Sequence, residues 1–208
     1  MITLYNYHRS SAAYRVRIAL NLKGIDYKMV NINLLEAEEQ GEDYLKINAQ
    51  GLVPSLLDDG AIITQSLAIV EYLDEKYSDN PLLPSKPIER ALVRSLANII
   101  ACDIHPLDNL RVLKYLVNEL DVLEEDKIVW YQHWITKGFD AFETQLKEVS
   151  NGQFCFSESA TIADAFLIPQ VYNAHRFKVD MNKYPLINGI NDHCLTLPAF
   201  DKAVPENQ

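Results

Sequence analysis

The spacing of apolar side chains changes once along this chain. Up to about Asp79 short apolar runs alternate with stretches of helical spacing, whereas beyond Ile88 only long amphipathic stretches remain. Ile2-Thr3-Leu4-Tyr5 reads as a strand, Ser11 to Lys23 as a helix stopped by Gly24, and Asp26 to Ile32 as a second strand. Two strands joined by one helix should run parallel. The polar stretch from Glu36 to Leu45 predicts a short, weakly specified helix. Pro54-Ser55-Leu56-Leu57 and Ala61-Ile62-Ile63 flank Asp58-Asp59-Gly60, a hairpin signal in which Gly60 supplies the positive φ, so these two strands should be antiparallel. Gln65 to Tyr77 returns to helical spacing, with Ile69, Leu73 and Tyr77 on one face beside Val70. The predicted order is β-α-β-α-β-β-α.

Three of the nine prolines fall between Asn80 and Pro87, a stretch that can continue neither element and reads as a linker. The expected division is therefore residues 1–80, a linker over 81–87, and an all-helical part over 88–208. Its helices are expected at Ile88 to Leu120, Asp126 to Val149, Thr161 to Lys178 and Pro185 to Leu195. Thr161-Ile162-Ala163-Asp164 has the form of a capping box and leads into the apolar Ala165-Phe166-Leu167-Ile168, so that helix should be buried. The end of the chain, Ala203 to Gln208, reads as loose.

A length of 208 residues suits two domains of about 100 residues each. With 19 Lys plus Arg against 29 Asp plus Glu, the net charge is −10, a field that repels polyanions and argues against nucleic acid as a partner. An anionic substrate must then be held by locally placed cations. Cys102, Cys155 and Cys194 show no C-x-x-C pair and no zinc spacing, so they read as reduced, mostly buried thiols of a cytoplasmic protein, and no metal site is expected. No apolar run reaches the roughly 18 residues of a membrane span, and Met1 leads into a strand rather than a secretory leader.

The most informative chemistry lies at Arg9-Ser10-Ser11, where the first strand empties into a helix. Free backbone N–H groups, the positive end of the helix dipole and a serine hydroxyl converge there, a point that stabilises a carboxylate, a phosphate or a thiolate. Read alone, Ser10 and Ser11 are equally well a plain N-cap pair. Arg15 and Arg17, on different faces of the helix, are expected to make structural salt bridges. His8, His133, His175 and His193 have no partner pattern and read as surface or packing residues.

Taken together, the β-α-β-α-β-β-α half, the Pro after Val53, the Gln65-Ser66 helix start and the proline-rich linker resemble a cytosolic glutathione transferase. Ser10-Ser11-x-x-x-Arg15-Val16-Arg17-Ile18-Ala19-Leu20 resembles the signature of the zeta class. So do Ile104-His105-Pro106-Leu107-x-Asn109-Leu110 and Pro169-Gln170-Val171-Tyr172-Asn173-Ala174-x-Arg176-Phe177. The resemblance implies a fold of a thioredoxin-like, glutathione-binding N-terminal domain followed by an all-helical C-terminal domain, usually as a homodimer. It implies glutathione-dependent cis–trans isomerisation of maleylacetoacetate, a dicarboxylate. Maleylpyruvate isomerisation, general conjugation or dehalogenation, and a binding module without chemistry are the alternatives.

By the same resemblance Ser10 and Ser11 are the catalytic residues, with Ser10 preferred as donor to the glutathione sulfur. Gln50, Val53, Pro54, Gln65, Ser66, His105 and Asn109 join them in binding glutathione. Arg9, Asn109 and Arg176 are the expected substrate-binding residues, since guanidinium forks suit carboxylates. The plainer readings are surface arginines, a packing histidine at a kink, and an N-cap at Gln65-Ser66. One departure is Ala12, where many zeta members carry Cys. It removes a protein thiol but leaves isomerisation intact, because the nucleophile is glutathione's own sulfur. Ser10-Ser11-Ala12-Ala13 also excludes thioredoxin-type disulfide chemistry.

Overall fold

The computed structural model describes all 208 residues, Met1–Gln208. They divide into two compact units, Met1–Leu82 with Leu195–Gln208, and Leu83–Cys194. The first unit holds β1 (Ile2–Asn6), α1 (Ser11–Leu22), β2 (Tyr27–Asn31), the single-turn α2 (Glu42–Leu45), β3 (Ser55–Asp58), β4 (Ala61–Thr64) and α3 (Ser66–Lys76). The sheet order is β2-β1-β3-β4, with β1 parallel to β2 and antiparallel to β3, and β3 antiparallel to β4. The parallel β1–β2 and antiparallel β3–β4 pairings are those expected from the spacing of apolar residues, whereas the place of β3 beside β1 was not read from it. Leu4, Leu56, Val16, Leu20, Ile69, Val70 and Leu73 are fully buried between sheet and helices.

Local chemistry explains the boundaries. Gly24 takes φ +64 after α1, the left-handed conformation in which helices commonly stop. At the β3–β4 turn both Asp59 (φ 49) and Gly60 (φ 83) are left-handed, which matches the strand twist; the sequence pointed to Gly60 alone. Asp58 Oδ2 accepts from Tyr72 Oη (3.0 Å), Lys76 Nζ (2.7 Å) and Tyr77 Oη (3.2 Å), which pins α3 to the hairpin. Buried Lys23 Nζ donates to Asp74 Oδ1 (3.0 Å) and to the carbonyls of Asp79 (3.1 Å) and Asn80 (3.2 Å), so the chain leaving α3 is fixed as far as Leu82.

The division differs from the expected one at the far end of the chain. Residues 195–208 pack with the first unit, and the segment that read as loose is anchored. Ala203 is fully buried, and its carbonyl accepts from Arg17 Nε (3.1 Å) and Nη2 (3.0 Å). Asn21 Nδ2 donates to Ala199 O (3.0 Å), in the single-turn α9 (Pro198–Asp201). A buried guanidinium in need of acceptors is what holds the tail.

The second unit holds α4 (Pro87–Asn98), α5 (Leu110–Asn118), α6 (Glu124–Val149), α7 (Ile162–Arg176) and most of α8 (Pro185–Leu195). The stretch expected as one helix from Ile88 to Leu120 is broken. Ile99–Ile104 is wound as a π-helix, in which His105 N donates to Ile100 O at 2.9 Å. Pro106, which has no N–H to give, follows at once, and Asn109 caps a new helix. The capping box is present: Asp164 Oδ2 accepts from Thr161 N (2.7 Å) and Oγ1 (2.9 Å), and α7 is buried along almost its whole length. Glu143 Oε1 and Oε2 accept from Leu186 N (2.9 Å) and Ile187 N (3.0 Å) at the start of α8. No helix is long and apolar enough to cross a membrane.

Candidate active site

Ser10 is the N-cap of α1. Its Oγ accepts from Ala13 N at 3.2 Å, and its own N–H is held by Tyr7 O at 2.9 Å. The plain reading of Ser10 is therefore realised, and it is compatible with the chemical one. A hydroxyl that accepts from the helix keeps its proton to donate outward. Ser11 is the first helical residue and is buried, whereas Arg9 stands exposed on the loop before Ser10. His8, next to it, is pushed below the usual imidazole range by burial and by the charges of Arg9 and Arg17, a sign of positive potential around this loop.

The other first-unit candidates converge at the start of α3. Gln65 adopts φ +71, and its Nε2 donates to Gln50 Oε1 at 2.8 Å, so two residues 15 apart in sequence are brought together. Ser66 opens α3 and is buried, with Arg15 Nη1 donating to its Oγ at 3.1 Å. Arg15 thus has a role that the salt-bridge expectation missed. By occupying an acceptor site on Ser66 it leaves that hydroxyl proton to be donated elsewhere, and it brings a cation to a helix N-terminus already suited to a carboxylate. Val53-Pro54 is a cis peptide leading into β3. Behind it the carbonyl of Leu52 accepts from Tyr44 Oη and Asn48 Nδ2, both at 2.7 Å, which fixes the backbone of that turn.

In the second unit, Asn109 Oδ1 caps α5 by accepting from Arg111 N at 3.1 Å, and Asn109 Nδ2 lies 3.5 Å from His105 Nε2. The pair is in contact, though across a helix break rather than along the continuous helix the spacing implied. Arg176 ends α7, exposed, with its guanidinium 5.5 Å from the ring centre of Phe177, which stacks on Tyr131 at 3.6 Å. Asp108, which sequence reasoning passed over, is buried with neither carboxylate oxygen hydrogen-bonded. Burial pushes its carboxyl up to about 8. Its position inside the His105–Asn109 motif was the available signal. Cys155 and Cys194 are buried thiols raised well above the usual range by desolvation and by Asp164, hence unreactive; Cys102 is exposed.

A mixed four-stranded sheet unit with a serine-capped first helix, a cis-proline turn and a Gln–Ser start to its last helix, joined to an all-helical unit, has the build of a glutathione transferase. The family model "Glutathione S-transferase, N-terminal domain" matches residues 1–75. A Vibrio cholerae protein named probable maleylacetoacetate isomerase is 46% identical over 209 aligned residues, covering 100% of this chain and 97% of its own. The holo structure of maleyl pyruvate isomerase, a bacterial glutathione transferase in the zeta class, matches with a TM-score of 0.95 at 42% identity, covering 99% of this chain and 98% of its own. Maleylacetoacetate isomerase from Methylobacterium extorquens AM1, with bound malonate and GSH, matches with a TM-score of 0.95 at 40% identity, covering 99% and 97%. The chain belongs to the zeta class of glutathione transferases, the family of the maleylacetoacetate isomerases.

Proposed function

We propose that this enzyme catalyses the glutathione-dependent cis–trans isomerisation of maleylacetoacetate. The observation that carries the reading is Ser10, a half-buried hydroxyl fixed as acceptor at the head of α1 and so left to donate to an anion in front of the helix. The donor set fits glutathione: Ser66 with Arg15 behind it suits the γ-glutamyl carboxylate, and the backbone of Val53 suits the cysteinyl peptide. When bound there, glutathione would supply a nucleophilic thiolate for reversible addition to the substrate double bond.

The chain's own residues do the rest. Ser10 donates its O–H to sulfur and, with the N-terminus of α1, favours the ionised form. Gln65 and Gln50 hold each other and leave the start of α3 open to a carboxylate. Arg9 and Arg176 bind substrate carboxylates, supplying locally the charge that a protein of net charge −10 lacks overall. His105 and Asn109 add polar contacts to the ligands. Maleylpyruvate is the competing substrate, favoured by the likeness to maleyl pyruvate isomerase.

A spectrophotometric assay of both keto acids with and without glutathione tests the proposal. Turnover of maleylacetoacetate that requires glutathione is expected. Failure of a folded, glutathione-binding protein to turn over either acid would overturn it in favour of a conjugating transferase or a binding module. We also propose a cytoplasmic homodimer, supported by three unpaired thiols and by Ile88 and Leu92, exposed one helical turn apart on α4.

A further inference from the structure

Arg17 lies on α1, is completely buried, and makes four hydrogen bonds. Nη1 donates to Asn6 Oδ1 at 2.7 Å, Nη2 to His8 O at 3.1 Å, and Nε and Nη2 to Ala203 O at 3.1 and 3.0 Å. Every one of these acceptors is uncharged. The expectation of a structural salt bridge therefore fails for a specific reason: the guanidinium is fully hydrogen-bonded but has no counter-ion. Burying an unpaired cation is costly, and the guanidinium falls to about 10, with burial the dominant cause.

The ionisable groups around it are Tyr14 on α1, Tyr27 on β2, and His8 and Arg9 on the loop before Ser10. Among the acids, Glu206 of the tail acts on His8. A buried guanidinium held by neutral acceptors keeps a charge that no acid offsets, and that charge lies toward the head of α1. Arg17 follows Ser10 by seven residues, roughly 10 Å along the helix axis, and helical side chains lean toward the N-terminus, as the bond to His8 O confirms.

We propose that Arg17 is a positioning and electrostatic residue for the isomerase chemistry, pinning the loop that carries Ser10 through the carbonyl of His8 and supplying the counter-charge that favours ionised sulfur in front of α1. The inference rests on the functional reading above. It also gives the tail a task, because Ala203 O fills two of the guanidinium's four hydrogen bonds and keeps its fork turned toward His8.

Asn6→Asp is the sharpest test, since it keeps the acceptor for Arg17 Nη1 and adds the missing counter-charge. At roughly 10 Å and an effective dielectric near 20, a neutralised cation should raise the apparent pKa of bound glutathione by about one pH unit. Ultraviolet titration of thiolate absorbance and the pH profile of kcat/KM read it. The expected result is about tenfold lower kcat/KM below that pKa, recovering at higher pH where the thiol ionises regardless. Arg17→Gln, which removes the charge directly, should move the titration the same way and serves if Asn6→Asp does not fold. An unchanged titration in a folded variant overturns the proposal. Ser10→Ala separates the two readings: if it shifts the thiolate while Asn6→Asp and Arg17→Gln do not, only the role of Arg17 falls. If the wild-type protein stabilises no thiolate on bound glutathione, the isomerase reading falls with it.

Discussion

Replacing Ser10 by Ala and by Gly separates the cap bond its hydroxyl accepts from the donor role proposed for it. The Oγ accepts from Ala13 N at 3.2 Å, a long cap bond, so Ser10→Ala should cost about 0.5–1 kcal/mol of stability. Glycine is nearly as good an N-cap as serine, and Ser10→Gly should cost only a few tenths of a kcal/mol. The chemistry should treat the variants alike, because both lose the O–H. A hydrogen bond to a charged acceptor is worth roughly 1.5–3 kcal/mol, which corresponds to about one to two pH units in the thiolate pKa and about a 10- to 100-fold loss in kcat/KM at neutral pH. Urea denaturation, thiolate absorbance and steady-state kinetics on the wild type, Ser10→Ala, Ser10→Gly and Ser11→Ala give the comparison. Activity that follows stability, with Gly near wild type and Ala impaired, would reduce Ser10 to a cap. A shift confined to Ser11→Ala would move the donor role to the neighbouring serine.

Arg176→Ala and Arg9→Ala should each lower kcat/KM for the dicarboxylate about 10- to 100-fold, with Lys recovering part of the loss; calorimetric glutathione affinity should hold, and unchanged kinetics in both variants would refute their role. Replacing Cys102, Cys155 and Cys194 together by Ser or Ala should leave glutathione-dependent turnover nearly intact in folded protein, because the proposed mechanism uses glutathione's sulfur and no protein thiol; loss of turnover would contradict this. Asp108 holds its proton up to about pH 8 when folded but only to the ordinary carboxyl range near 3.8 when unfolded. Between these values the folded state binds more protons, so this group's contribution to stability is complete below about pH 4 and is lost as pH rises through 8. Asp108→Asn should therefore flatten the fall in stability toward alkaline pH, and urea melts across that range with parallel wild-type and variant curves would refute the buried, protonated carboxyl.

What was legible in the sequence was local. The helix stop at Gly24, the Asp59-Gly60 turn and the Thr161–Asp164 box each act within a few residues, so their chemistry can be read from spacing alone. The Ser10 cap is of this kind as well. The π-helical segment before His105 was not legible, because it depends on packing. Gly138 of α6 faces Ile104 so closely that an added Cβ would lie 2.2 Å from its Cδ1, and no local pattern announces that approach. Gln50 with Gln65, and Arg15 with Ser66, meet only once the sheet has brought distant residues together. Apart from its place between His105 and Asn109, Asp108 carries no local signal that sets it apart from other acids, and only folding reveals that it is enclosed. The tail was misread for the same reason: Arg17 and Ala203 are 186 residues apart.

That last separation bears on how the protein is made. Domains emerging from the ribosome ordinarily fold in order, the first closing while the second is still being synthesised. Here the unit that starts at Met1 is completed by Leu195–Gln208, so α4 through α7 leave the ribosome before the acceptor for Arg17 exists. Until then the guanidinium lacks two of its four hydrogen bonds. The sheet unit is thus assembled from two stretches far apart in the chain, and its buried cation is fully hydrogen-bonded only once residues 195–208 have docked.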